Sequence, residues 1–156
     1  MAFVRNCHVT SEEYKAAIAT AVVYVKASLR AFILNATPVV SIVDDDEGVR
    51  FALSNLVQSL GWQTRVYESA ENFLASGDVA DTACLISDIR MSGMSGLEMH
   101  KLLVAQGDAP PTIFISAYPT PSVQEKIEEN GALVLLKKPY SAAEIKHWLS
   151  VALKSP

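Results

Sequence analysis

Four short stretches of this 156-residue chain carry groups that could do chemistry together: Asp44-Asp45-Asp46, Asp88, Ser116 and Lys138. Each sits at the end of a short apolar run, at 39–43, 83–87, 112–116 and 133–136 respectively. Such runs, bounded by turn residues, read as buried strands. The polar groups would therefore collect where strands stop and loops begin. Crowded carboxylates repel, and each raises its neighbour's pKa. A hard divalent cation relieves that repulsion, and few protein ligands with open water positions suit Mg2+. A lysine beside them could pair with Asp88 or with an incoming anion. A carboxylate, Mg2+, an ammonium and a hydroxyl can together accept a phosphoryl group, Asp being a known nucleophile for aspartyl-phosphate. Metal and lysine would neutralise charge on the transferring group. Taken singly, each feature has a plainer reading. Asp44 to Asp46 could be the solvated N-terminus of the next helix, and Lys138-Pro139 an ordinary turn. The four gain weight because they fall at the same end of successive strands.

The elements that must position these groups alternate regularly after Pro38. Strands are predicted at 39–43, 62–67, 83–87, 112–116 and 133–136. The helix at 48–60 would turn Ala52, Leu53, Leu56, Val57 and Leu60 inward and stop at Gly61. Ser69 starts a short helix to about residue 75, and a third helix spans 95–105. Thr120-Pro121 gives an N-cap followed by proline at the first helical position, and Asn130-Gly131 ends that helix. Ser141-Ala-Ala-Glu144 is a capping box, and Ile145, Trp148, Leu149, Ala152 and Leu153 form the apolar face of the last helix. Five apolar strands each followed by a helix imply a parallel α/β sheet covered on both faces. In such sheets ligands bind at the carboxyl ends of the strands. Spacing alone leaves the strand order open.

Composition narrows the function classes. Half the residues are hydrophobic, the net charge is −4 and no Lys/Arg run occurs, which argues against direct nucleic-acid binding by this chain. Cys84 falls inside a strand and reads as a core thiol; His8, His100 and His147 lack ligand spacing. Residues 1–37 form an N-terminal extension, helical from Ser11 onward, with Ile18, Val22, Val25, Leu29 and Phe32 on one stripe. The stripe would pack on its own domain or support a homodimer. Lys26 and Arg30 lie within it, and each costs about 2.5–3.5 kcal/mol near a bilayer centre, so no membrane span is expected. Glu12 and Glu13 precede the apolar part, which argues against a secretory signal.

Val43-Asp-Asp-Asp46, Ser87-Asp-Ile-Arg-Met-Ser-Gly-Met-Ser-Gly-Leu-Glu98, Ile115-Ser-Ala117 and Lys138-Pro-Tyr140 together resemble the receiver domain of two-component response regulators. The resemblance spans 38–154 and is nearest to receivers that precede helix-turn-helix output domains. It implies the flavodoxin-like strand order 2-1-3-4-5 and a cytoplasmic phosphorelay in which a sensor histidine kinase supplies the phosphoryl group. It makes Asp88 the phosphoacceptor, and Asp45 and Asp88 direct Mg2+ ligands. Asp44 becomes an indirect ligand and the main-chain carbonyl of Arg90 a third protein ligand. Ser116 becomes the hydroxyl that moves toward the phosphoryl group, and Lys138 its pairing lysine. Lys138–Pro139 matches the family's cis peptide. On this resemblance the chain is not an enzyme beyond turning over its own phosphoryl group.

Two positions depart from the family pattern. Ser92 stands where a proline is usual, which should loosen the loop slightly. Leu135 stands where a switch aromatic is usual, and leucine cannot reproduce a Tyr or Phe rotamer readout. The alternative reading is a phosphorylation-independent interaction module of the same fold. A dehalogenase-type phosphatase would need a second Asp at position 90, which is arginine. A flavin or nucleotide carrier would need a phosphate-cradling loop where Asp44 to Asp46 stand.

Overall fold

A computed structural model describes residues 37–153. The N-terminal extension at 1–36, with its expected helix and apolar stripe, lies outside the described residues, as do 154–156. The strands are β1 (Val39–Val43), β2 (Gln63–Tyr67), β3 (Thr82–Asp88), β4 (Thr112–Ser116) and β5 (Val134–Lys137). The helices are α1 (Glu47–Ser59), α2 (Ala70–Ala75), α3 (Gly96–Gln106), α4 (Pro121–Glu129) and α5 (Ala142–Leu153), with a 3-10 turn at Val79–Asp81 before β3. All strand pairs are parallel and the order is β2-β1-β3-β4-β5, the order that the resemblance implies.

Alternation along the central strands sends apolar side chains to both faces, as a sheet covered on both sides requires. Val40, Ile42, Cys84, Ile86, Ile113 and Ile115 pack with Leu53 and Val57 of α1 and Ile145 and Leu149 of α5. On the other face Val43 and Leu85 meet Ala70, Phe73, Met99 and Leu103 of α2 and α3, while Phe114 meets Ile89 and Ile127 of α4. Burying one such aliphatic side chain contributes about 1.5–3 kcal/mol, so the three strands carrying the acidic and hydroxyl groups are also the best anchored. Cys84 is fully buried, and burial pushes its thiol up to about 12, as befits a core residue.

Several boundaries shift by a residue, for local reasons. α1 begins at Glu47, not Gly48, because the Asp46 carboxylate caps the helix by accepting the Val49 N–H at 3.0 Å. Ala52 is exposed; Val49 takes the inward place assigned to it, and Phe51 is 70% exposed on the other side. β5 starts one residue late, so Lys137 closes the strand and Lys138 begins the loop. Thr120 caps α4 with Pro121 at its first position. The Ser141–Glu144 box closes reciprocally, the Ser141 N–H donating to Glu144 Oε2 at 2.7 Å and the Glu144 N–H to Ser141 Oγ at 3.2 Å. Among the described residues no helix is long and apolar enough to cross a membrane.

Candidate functional site

Register brings the candidate groups together. Val43 lies beside Ser87, so Asp44 and Asp88 emerge next to each other from the two central strands. Asp88 pairs with Ile115 and Ser116 with Lys137, which brings Ser116 and Lys138 to the same edge. The Lys138 N–H donates to the Ser116 carbonyl at 2.8 Å, tying the two strand ends, and the Lys138–Pro139 peptide is cis. Asp44, Asp88 and Ser116 are 2%, 7% and 3% exposed, whereas Asp45 projects into solvent.

One open cleft is lined by all six candidate residues, Asp44, Asp45, Asp88, Arg90, Ser116 and Lys138, and also by Asp46, Val49, Ala117 and Tyr118. Lys138 Nζ donates to Asp88 Oδ1 at 2.6 Å and to Asp44 Oδ2 at 3.1 Å. The Arg90 N–H donates to Asp88 Oδ2 at 2.6 Å, so both oxygens of Asp88 are engaged. Asp44 Oδ1 accepts the Asp46 N–H at 2.9 Å, and Asp45 Oδ2 accepts the Ser92 N–H at 2.9 Å. Ser116 Oγ accepts the Tyr118 N–H at 3.2 Å, and the Arg90 guanidinium stands 5.8 Å from the centre of the exposed Tyr118 ring. Burial raises the Asp44 carboxyl above its ordinary range, against the pull of the Asp46 N–H and of Lys138. Burial works to lower the Lys138 ammonium, but its bonds to Asp88 and Asp44 outweigh that and hold it up, so it stays charged.

The donor set fits a hard divalent cation. Four carboxylates in the cleft face only two cationic side chains, Arg90 and Lys138. Among the described residues no three His, Cys, Asp or Glu side chains are gathered tightly enough to hold a metal by themselves. That is compatible with Mg2+, which takes one or two carboxylates and keeps several waters.

Other contributors left little trace in the sequence. Gly96, the first residue of α3, approaches β3 so closely that a Cβ there would lie 2.2 Å from the Asp88 carbonyl oxygen and 2.7 Å from Ser87 Oγ. Its N–H donates to the Ile89 carbonyl at 3.1 Å, stitching the helix start to the strand end. Ser95 and Glu98 form a capping box there, and this S-x-x-E pattern was readable. Glu71 Oε1 accepts the Met94 N–H at 2.8 Å across 23 residues, and Arg50 donates to the Asp44 carbonyl at 2.6 Å. The Ser92 amide, a donor that proline lacks, ties the β3–α3 loop to Asp45. Leu135 is half-buried against Ile89, Phe114 and Ile127.

Known proteins share this arrangement. Residues 40–150 match the response regulator receiver domain. The response regulator protein TmoT of Ectopseudomonas mendocina is 37% identical over 116 residues, 74% of this chain and 53% of that protein. The transcriptional regulatory protein FixJ of Azorhizobium caulinodans is 35% identical over 106 residues, 68% of this chain and 50% of that protein. The chain thus spans about half the length of the curated relatives it matches. Among solved structures, that of the response regulator StyR superposes with a TM-score of 0.71 at 34% identity, over 76% of this chain and 60% of StyR. The crystal structure of FixJ-N gives 0.69 at 30% identity, over 78% of this chain and 97% of that one. With this strand order, this acidic edge and these relatives, the chain belongs to the response regulator receiver domain family of two-component signalling.

Proposed function

We propose that Asp88 accepts a phosphoryl group from the phosphohistidine of a sensor histidine kinase. A P–O bond forms to an Asp88 carboxylate oxygen as the P–N bond to the donor imidazole breaks. Asp45, Asp88 and the Arg90 carbonyl would hold Mg2+ directly, with Asp44 behind a water; when bound, the ion neutralises charge on the phosphoryl oxygens. Lys138, now paired with Asp88 at 2.6 Å, shifts its hydrogen bond to a phosphoryl oxygen as the carboxylate loses its own charge to the new bond. Ser116 turns its hydroxyl, which accepts the Tyr118 N–H, to donate to another. The single observation that carries this reading is the buried Asp88, hydrogen-bonded at both oxygens, beside the Lys138 ammonium in a cleft with four carboxylates.

Because several relatives are named transcriptional regulatory proteins, the output proposed for a longer protein containing such a chain is control of transcription. Nucleic-acid contact is then open for that whole protein, although this chain has no basic run to offer. The reading also includes a cytoplasmic setting and a homodimer, to be sought by sedimentation of the whole chain. The decisive experiment is radiolabel transfer from a small-molecule phosphodonor. Wild type should gain an acid-stable, hydroxylamine-labile phosphate that needs Mg2+, and Asp88→Asn should gain none. Equal labelling of the variant overturns the assignment.

A further inference from the structure

The loop after β3 is held by alternate amides. Arg90 N–H donates to Asp88 Oδ2 at 2.6 Å, Ser92 N–H to Asp45 Oδ2 at 2.9 Å, and Met94 N–H to Glu71 Oε1 at 2.8 Å. Three carboxylates, from the β1–α1 loop, β3 and α2, thus clamp five residues of loop. Two of them, Asp45 and Asp88, are the acidic side chains assigned to the cation above. The middle bond depends on the residue at 92 having an N–H at all, which proline lacks. It also joins residues 47 apart in sequence. Asp45 is drawn toward the loop by this bond. A cation that took Asp45 Oδ2 together with Asp88 would take the very oxygen that now accepts the Ser92 N–H.

We propose that the Ser92 N–H competes with the divalent cation for the Asp45 carboxylate, so that cation binding and the anchoring of the β3–α3 loop are coupled. Binding the ion frees the Ser92 amide; keeping the amide bonded weakens the ion. Ser92 is a positioning residue here, acting through Asp45 by its main chain and not by its hydroxyl. The inference rests on the metal-site reading under Proposed function.

The test is a titration of the whole chain with magnesium chloride, followed in amide proton–nitrogen spectra. In wild type the Ser92 amide should move upfield and exchange faster with water, with the same midpoint as the Asp45 and Asp88 amides. A hydrogen bond to a charged group is worth enough that Ser92→Pro, which lacks the donor, should bind Mg2+ about threefold to tenfold more tightly. Ser92→Ala keeps the donor and should match wild type. A Ser92 amide that stays still while Asp45 and Asp88 titrate overturns the coupling and leaves the metal reading standing. So does a Ser92→Pro affinity no tighter than wild type. If none of the three amides responds to Mg2+, the metal reading and the coupling fall together. Should Ser92→Pro fold poorly, the wild-type amide titration decides alone.

Discussion

Lys138 is the only ammonium bonded to Asp44 and Asp88 among the described residues, and it is itself three-quarters buried. Removing one partner of a buried pair leaves the other charges uncompensated, a loss of about 3–5 kcal/mol when burial is complete. Lys138→Met should therefore cost about 2 kcal/mol near neutral pH, less than the full figure because water reaches the lysine. Urea unfolding measures it. The deficit should shrink as the solution is acidified, since Asp44, already raised by burial, takes a proton and no longer needs the partner. A second titratable side chain lies away from the cleft. His100 is 2% exposed, its Nδ1 has no hydrogen-bond partner, and its ring packs edge-on to Phe114 with centroids 5.4 Å apart. Burial lowers its pKa below the ordinary 6.5, so the folded state resists the proton that the unfolded state accepts. Stability from this residue is full above 6.5 and declines as pH falls toward the folded value. His100→Leu should flatten the acid limb of a stability–pH curve below pH 6.5. An unchanged limb would place the acid sensitivity elsewhere. At this scale the sequence displayed every charged side chain of the cleft. It hid the Ser92 amide and the Glu71–Met94 bond, because main-chain donors carry no residue signature and contacts across 23 or 47 residues follow no local period.

Helix α3 is set against β3 by a missing side chain. Gly96→Ala would drive a methyl to 2.2 Å from the Asp88 carbonyl oxygen, a main-chain atom that cannot swing aside as a flexible side chain would. Overpacking of this kind costs about 1–3 kcal/mol, and here it should also displace Asp88. Both a lower urea midpoint and slower phosphoryl transfer are expected; a variant as stable and as fast as wild type would show that the helix can slide. The strand-end pattern of the elements was legible because apolar runs and turn residues alternate plainly. The exact inward face of α1 was not: alanine carries little hydrophobic signal, so Ala52 fitted the stripe while Val49 in fact faces the core. Leu135 belongs to this scale too. It is half-buried beside Phe114 and Ile127, while Tyr118, two residues past Ser116, is 70% exposed over Arg90. A phosphoryl mimic with Mg2+ should therefore shift amides from Ala117 to Thr120 more than those around Leu135. Leu135→Tyr should enlarge the response of β5 without much change in phosphorylation rate. Shifts confined to β5 in wild type would reverse that assignment.

For the whole molecule, strand order was the property that residue spacing could not supply, since several right-handed windings satisfy the same alternation. It came from the resemblance carried by the strand-end motifs, and the sheet has that order. Every element of the sheet and every cleft residue lies within 37–153. A chain starting at Thr37 should therefore unfold in one cooperative transition and still accept phosphate; a broad, non-cooperative melt would make the first 36 residues part of the core.

The place of Lys138 just beyond the last strand has a consequence for biosynthesis. A ribosome releases Asp44 and Asp45 first, Asp88 later, and the lysine last of the four. Until β5 docks along β4, the acidic edge has no ammonium to balance it. A polypeptide that stops short of β5 would hold mutually repelling carboxylates at that edge with no lysine beside them. The charge-balanced cleft is in this way withheld from nascent chains until β5 has been made.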